Sequence, residues 1–258
     1  MLRSLTRLNV TPVKGMALHH PDHARLTPTG IPSDRRFYLV DGSGMLAAGA
    51  MFGELQQVHP TYDPTAEHLS FTFPDGSMVD GDAVAHGASE TTSFYGRPVA
   101  GHALDATFSE AISEYLRRTV RLLRCDRDGD GSDVMPLTIV AQASVQDLGR
   151  RGRHEGPLDS RRFRINLELD GCEPYEEDSW DGRIVSVGEA NLRIRGQIPR
   201  CVVTTLDPDT GRKDWDTLTQ IAKFRPRIPG DGGLPFGMYA TVEHPAEVRL
   251  GDLVAPAP

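Results

Sequence analysis

The chain has 258 residues, of which 38% are apolar and 25% charged, a composition typical of a folded protein large enough for two domains. Its formal net charge of −8 argues against an extended nucleic-acid surface, because such a surface needs many lysines and arginines. The sequence lacks the unbroken apolar stretch of a signal peptide or a membrane span. We therefore expect a cytoplasmic protein that binds neither nucleic acid nor membrane.

The first half of the chain predicts short strands separated by turn residues, among them "RRFYLVD", "MLAAG" and "HLSFTF". "FPDGS" at 73–77 is typical of a hairpin turn. A helix is predicted over 107–119, where Phe108, Ile112 and Leu116 recur at helical spacing.

The second half predicts the strands "LTIVA", "RFRINLELDG", "CVVTTL" and "FGMYATVEH", a hairpin over 183–196, and helices near "SVQDLGRR" and "WDTLTQIAKF". Because strands outnumber helices, we expect a mainly β (α+β) fold with two β-barrel-like domains and a few packing helices. The polar segment "DRDGDGSDVMP" at 126–136 suggests domains at 1–125 and 126–258.

Several motifs resemble ligand sites without completing them. The G-x-G-x-x-A spacing at 42–47 is not followed by a βαβ unit, so a hairpin loop is favoured over a dinucleotide site. "DRDGDGSDVMPL" begins like a calcium loop but ends in Leu137 where a glutamate is needed, which favours a solvated loop. "HHPDH" at 19–23 has no further ligands nearby, so no metal is assigned to it.

Two segments offer groups that bind anions. In "RRFRIN", strand alternation would place Arg162, Arg164 and Asn166 on one face, where guanidinium groups suit a phosphate and an amide suits a heterocycle edge. Lys14 precedes Gly15, and a glycine allows an anion to approach the backbone closely.

Cys201 follows Arg200 in "IPRCVVTTL", and its role can be interpreted in two ways. An unpaired cysteine is often a small buried apolar residue, which is what we expect of Cys125 and Cys172. A neighbouring cation instead favours the thiolate, which is a nucleophile and a soft metal ligand. Three widely spaced cysteines also provide no disulfide framework and too few ligands for a four-cysteine iron–sulfur cluster, so electrons for any redox reaction must come from elsewhere.

Motifs along nearly the whole chain resemble those of MOSC-domain proteins that carry an N-terminal β-barrel domain. They are "VTPVKG", "DRRFYLVD", "DSRRFRINLELDG" with "PYEEDSWDGR", "GQIPRCVVTTLDPDTGRKDWDTLTQIAKFR" and "FGMYATVEHPAEVRLGD". The resemblance implies that 1–125 is the N-terminal barrel domain and 126–258 the MOSC domain. It also implies a molybdenum cofactor (Mo-molybdopterin) between the domains, as in the mitochondrial amidoxime-reducing component.

The same resemblance implies roles for individual residues. Cys201 would be the molybdenum ligand and the catalytic centre. The residues implied to bind the rest of the cofactor are Lys14, Gly15, Arg36, Ser144, Arg164, Asn166, Arg200 and Tyr239. The implied activity is reduction of a small N-hydroxylated compound, with electrons from a separate iron–sulfur or flavin protein.

Two departures from the family pattern leave other functions open. Ile165 replaces the proline of Arg-Phe-Arg-Pro-Asn, and "LAAGAMFGELQQV" at 46–58 replaces a polar stretch. One alternative is a carrier that holds pterin or a persulfide on Cys201 without turnover. The other is a cofactor-free relative with different chemistry in the same cleft. Substrate selectivity is expected to reside in 46–58 and in the loop at 149–160.

Overall fold

The computed structural model describes residues 2–230 and 232–257, and these residues form sixteen β-strands and three α-helices. The strands are β1 (Ser4–Leu8), β2 (His23–Arg25), β3 (Phe37–Asp41), β4 (His59–Asp63), β5 (His68–Thr72), β6 (Met78–Asp82), β7 (His86–Phe94), β8 (Arg97–Ala103), β9 (Val120–Cys125), β10 (Leu137–Ala141), β11 (Leu167–Asp170), β12 (Ile184–Val187), β13 (Ala190–Arg200), β14 (Leu234–His244), β15 (Glu247–Arg249) and β16 (Val254–Pro256). The helices are α1 (Ala106–Leu116), α2 (Gln142–Arg151) and α3 (Thr217–Ala222), and 3₁₀ turns occur at Ala50–Gln57, Ser160–Phe163, Glu176–Trp180 and Val202–Thr205.

The largest sheet contains seven strands in the order β1-β11-β10-β14-β13-β12-β16. An isolated bridge between Ser4 in β1 and Leu253, next to β16, brings the two outer strands together. The sheet is therefore a nearly closed barrel. Its interior is filled by alternating apolar side chains, with Trp180 fully enclosed at one end.

The first half of the chain supplies two smaller sheets, β3-β9-β8-β7 and β4-β5-β6. Helix α1 packs Phe108 and Ile112 against them, and Asp105 caps its start by accepting from the Thr107 backbone N–H at 2.9 Å. The helix ends at Leu116, earlier than predicted, because Arg117 adopts a left-handed conformation with φ of 52°. The mainly β fold predicted from the sequence is confirmed.

The first two strands pair with strands far along the chain. β1 pairs with β11, and β2 pairs with β15. Residues 4–8 and 23–25 thus lie against strands of the second half of the chain, while the domain boundary between 125 and 126 stays a prediction.

One predicted strand, and the first part of another, are turns instead. In "RFRIN", Ser160–Phe163 is a 3₁₀ turn and Arg164 is left-handed with φ of 53°, so β11 begins only at Leu167 and the predicted alternation is wrong. In "CVVTTL", β13 ends at Arg200 and Val202–Thr205 is a 3₁₀ turn. The hydroxyls of Thr204 and Thr205 bond backbone carbonyls three residues earlier, which favours the turn over a strand.

None of the helices in residues 2–230 and 232–257 combines the length and the apolar character that crossing a membrane requires.

Candidate functional site

The largest cluster of predicted site residues lies around a cavity of about 150 Å³. It opens between the end of β13, the Ser160–Asn166 segment and the turn that follows Val13. The residues singled out from the sequence that line it are Lys14, Gly15, Arg162, Arg164, Asn166, Arg200, Cys201 and Tyr239. The structure therefore brings together side chains that are far apart in sequence.

Lys14 is a buried cation of the cavity wall, with 6% of its surface exposed. Its Nζ donates to the Gly131 carbonyl at 2.9 Å and to the Asp133 carboxylate, and it lies 5.1 Å from the centre of the Phe94 ring. Burial lowers the pKa of Lys14 from its ordinary value, and Asp133 opposes that shift. Gly15 has φ of 93°, which only glycine adopts without strain.

Two arginines stand beside Lys14. The Arg164 side chain donates to the Met16 carbonyl at 2.7 Å, and Arg35 donates to the Arg164 carbonyl at 3.0 Å. Burial lowers the pKa of Arg164 to about 10, and the positive charge of Arg35 adds to this. The inner cavity is thus crowded with cations, an arrangement that favours an anionic ligand.

Asn166 plays a more structural part than its sequence position indicated. Its amide nitrogen donates to the Asn9 carbonyl at 3.2 Å and to Asp34 at 2.9 Å, and its oxygen accepts from Thr138 at 3.0 Å. Both amide hydrogens have protein partners. Asn166 therefore fixes the cavity wall, and only its oxygen has bonding capacity left.

Cys201 is the exposed cysteine of the chain, whereas Cys125 and Cys172 are buried. Burial raises the pKa of both buried thiols to about 12, so they are inert at neutral pH. Cys201 lies where β13 ends and the 3₁₀ turn begins, which turns its thiol toward the cavity instead of into the sheet.

Arg200 is held directly beside Cys201. Its Nε donates to the Phe236 carbonyl at 2.7 Å and one terminal nitrogen donates to the Phe163 carbonyl at 3.0 Å. The other terminal nitrogen, Nη2, is buried without a protein partner. Burial lowers the pKa of Arg200 to about 10, and Tyr239, whose own pKa burial raises to about 12, also lines this wall.

Arg36 and Ser144 lie outside the cavity. Arg36 pairs with Asp128 at 3.4 Å, and the fully buried Ser144 donates to Glu177 at 2.9 Å. Arg35 lines the cavity in place of Arg36, a residue the sequence reasoning missed. The "DRR" motif signalled a cation there, but the left-handed conformation of Arg35, with φ of 53°, decides which of the two arginines faces inward.

The acidic segment 126–136, predicted as a solvated loop, is held at the edge of the cavity by ion pairs and hydrogen bonds. Asp133 pairs with Lys14 and Asp128 with Arg36. Arg97 donates to the carbonyls of Asp130 and Ser132 at 2.6 and 2.5 Å. Cations thus hold this loop at several points along its length.

The stretch 46–58 borders the cavity through Ala48, Gly49, Phe52 and Gln56, none of which is charged. Gly53 packs so closely on Gly211 that an added Cβ would lie 2.1 Å from the Gly211 oxygen. The loop 149–160, in which selectivity was also expected, contributes no lining residue among those described.

Comparison with known protein families matches two consecutive domains to the chain. The MOSC N-terminal beta barrel domain matches residues 2–121, and the MOSC domain matches 126–255. The mouse protein "Mitochondrial amidoxime-reducing component 1" is 36% identical over 129 residues, which are 48% of this chain and 37% of that protein. "Molybdenum cofactor sulfurase" of Drosophila erecta is 28% identical over 253 residues, 92% of this chain and 31% of that protein.

Each match thus covers only about a third of the relative's own length. Among solved structures, the YUAD protein from Bacillus subtilis aligns with 98% of this chain and 94% of its own, at 11% identity and a TM-score of 0.48. The two domain matches together account for residues 2–121 and 126–255, and on that ground the chain belongs to the MOSC family, with an N-terminal MOSC barrel domain.

Proposed function

We propose that this protein binds a molybdenum cofactor through Cys201 and reduces N-hydroxylated compounds with electrons from a separate donor protein. The observation that carries the proposal is the exposed thiol of Cys201 at a cavity lined by Lys14, Arg35, Arg164 and Arg200. A soft sulfur donor beside several cations suits a metal joined to a phosphate-bearing pterin.

An unpartnered donor supports the fit. The Nη2 atom of Arg200 is buried and has no hydrogen-bond partner in the protein, which costs about 1–3 kcal/mol unless a ligand satisfies it. Arg200 and Cys201 both line the cavity, so a group bound at the thiol would lie along the wall that Arg200 forms. Lys14 and Arg35 are balanced by Asp133 and Asp34, whereas Arg164 and Arg200 form no ion pair among the described residues and would be balanced by an anionic ligand.

Different residues of the cavity would bind the cofactor and donate a proton or a hydrogen bond. Lys14, Arg35 and Arg164 would attract and orient the anionic end of the cofactor, and Cys201 Sγ would hold its metal. Tyr239 Oη stays protonated at neutral pH because burial raises its pKa to about 12, so it can donate a hydrogen bond into the cavity. When bound, the cofactor supplies two-electron redox chemistry, and reduction of N–OH to N–H and water takes up two electrons and two protons.

The source of the electrons is proposed to be another protein, with an iron–sulfur or flavin centre. Residues 2–230 and 232–257 contain no group of three or more His, Cys, Asp or Glu side chains placed to hold a metal. The proposed type of substrate follows the similarity to the mouse "Mitochondrial amidoxime-reducing component 1". The stretch 46–58 is the part of the cavity wall proposed to select the substrate.

The experiment expresses wild type, Cys201→Ser and Cys172→Ser in a host that makes the cofactor, and measures molybdenum and oxidised pterin per chain. We expect near-stoichiometric metal in wild type and in Cys172→Ser, and loss of metal in Cys201→Ser. Equal metal in Cys201→Ser and wild type, or no metal in either, would contradict the proposal. Circular dichroism checks that each variant is folded.

A carrier function is the second candidate, favoured by the exposure of Cys201 and by the match to a molybdenum cofactor sulfurase. In that case the purified protein carries a persulfide on Cys201 and no metal. Intact mass spectrometry would then show one additional sulfur atom, removed by a thiol reductant, in wild type and not in Cys201→Ser.

A further inference from the structure

The turn between β7 and β8 contains an aromatic residue in an unfavourable position. Tyr95 and Gly96 are the two residues of this hairpin turn, and both have positive φ, 51° and 91°. Two-residue turns of this kind favour Asn, Asp or Gly at the first position, because a bulky side chain is strained there. The turn itself therefore gives no reason for tyrosine at position 95.

The tyrosine side chain lies at the cleft. Tyr95 lines the inner cavity and also an adjoining groove, and 67% of its surface is exposed. Ala48 is likewise shared by the cavity and the groove, so the two are continuous. An aromatic ring held at the opening of a binding cleft, in a strained conformation, indicates a role in binding.

The groove is uncharged along its described length. It is lined by Gly44, Met45, Leu46, Ala48, Ser93, Tyr95 and Gly96. Met45 is 68% exposed, and an exposed methionine is an adaptable apolar contact. The groove thus presents a ring and a thioether to whatever enters beside Cys201.

We propose that Tyr95 determines substrate specificity by packing its ring against a flat, uncharged aromatic group of the substrate. Met45 supports the same group from the groove wall. The identity of the reacting N–O group rests on the proposed function, whereas the aromatic site does not.

The charges that line the cleft explain why we propose an uncharged group of the substrate. A cationic group entering the cleft meets more cations than carboxylates, since Lys14, Arg35, Arg164 and Arg200 line it against Asp133 and the groove adds no carboxylate. An anionic group would compete with the cofactor for the same cations. An uncharged aromatic ring can pack in the groove without being repelled by the cations and without competing with the cofactor for them.

The first test measures binding without turnover, by ligand-observed NMR titration of the cofactor-free protein with benzamide and with acetamide. Benzamide is expected to bind wild type and Tyr95→Phe alike, and roughly two- to tenfold more weakly to Tyr95→Asn and to Met45→Ser. Met78→Ser, at an equally exposed methionine on β6, is the control and should bind as wild type does. Unchanged benzamide affinity in both Tyr95→Asn and Met45→Ser would overturn the proposal.

The second test measures stability, because Asn suits the turn better than Tyr. Tyr95→Asn is expected to melt at the wild-type temperature or above it. A melting temperature several degrees below wild type would show that the ring stabilises the fold instead of serving the cleft. Met45→Ser leaves the turn unchanged, so its benzamide affinity remains an independent test.

The third test links the site to turnover in the metal-loaded protein. The ratio of kcat/KM for benzamidoxime to that for acetamidoxime should fall severalfold in Tyr95→Asn and stay constant in Met78→Ser. Protein that binds benzamide as expected but contains no metal would refute the proposed function and leave the aromatic site standing. Active protein with an unchanged ratio would refute the role of Tyr95 alone.

Discussion

Glu177 should make the stability of the protein depend on pH near neutrality. Its carboxyl group is 1% exposed and accepts hydrogen bonds from Ser144 and from the Ala141 backbone. Burial raises the pKa of Glu177 to about 7, and the negative charge of Asp178 adds to this. In the unfolded chain the pKa of glutamate returns to about 4.3.

At a pH between these two pKa values, Glu177 is therefore protonated in the folded protein and ionised in the unfolded chain. Stability is greatest below the unfolded pKa and falls as the pH rises toward the folded pKa. The difference of two to three pKa units corresponds to about 2–3 kcal/mol lost between pH 5 and pH 8.

The assay compares urea unfolding of wild type and Glu177→Gln at half-unit steps from pH 5 to pH 8. The difference between the two proteins isolates Glu177 from the histidines, which titrate in both. The variant should gain about 2–3 kcal/mol relative to wild type across this range. Glu173→Gln, an exposed change in the same segment, controls for net charge. Parallel curves for wild type and Glu177→Gln would refute the reasoning.

Three further changes test the cleft. Cys201→Ala should alter the free energy of unfolding by less than about 0.5 kcal/mol, since the thiol is exposed; urea unfolding measures this. Asp133→Asn frees Lys14 and should raise the affinity for inorganic pyrophosphate roughly two- to fivefold, measured by calorimetry. Gly53→Ala should destabilise by about 1–3 kcal/mol, because its Cβ would overlap the Gly211 carbonyl; thermal melting measures this.

Each of these changes has a matched control. Cys125→Ala removes a buried thiol and should cost about 1 kcal/mol or more, and equal effects at both cysteines would contradict the exposure of Cys201. Asp128→Asn acts on Arg36 outside the cavity, so a similar gain in pyrophosphate affinity there would mean a general charge effect. Gly42→Ala has open space around it and should be neutral.

The sequence pointed to Lys14, Arg200 and Cys201 as candidate site residues, and the structure places all three at one cavity. It could not predict that Arg200 ends β13 and that a turn instead of a strand follows Cys201. Ser144, which the family resemblance assigned to the cofactor, instead donates to the buried Glu177, and only the three-dimensional packing of the Glu176–Trp180 turn reveals that partner.

Other features could not be predicted because they depend on backbone conformations that pattern does not encode. Alternation assigns Arg164 to a strand, whereas its left-handed conformation places it in a turn. The choice between Arg35 and Arg36 depends on the same kind of conformation. The sequence does not indicate that Tyr95 lies in a hairpin turn, since an aromatic residue before a glycine is not a typical turn pattern. The sequence predicts a solvated loop at 126–136 because the cationic partners of its carboxylates are distant in sequence.

The pairing of β1 at the edge of the large barrel has a consequence for synthesis. Leu5 donates to the Asp252 carbonyl, and Val254 donates to the Arg3 carbonyl, both at 2.9 Å. A ribosome adding about 5–20 residues per second delivers residue 252 many seconds after residue 5. Pairing of β1 with β11 can begin once residue 170 has been made. The hydrogen bonds that close the barrel at Arg3 and Leu5 must wait until residues 252–254 emerge, so the barrel stays open for all the intervening time.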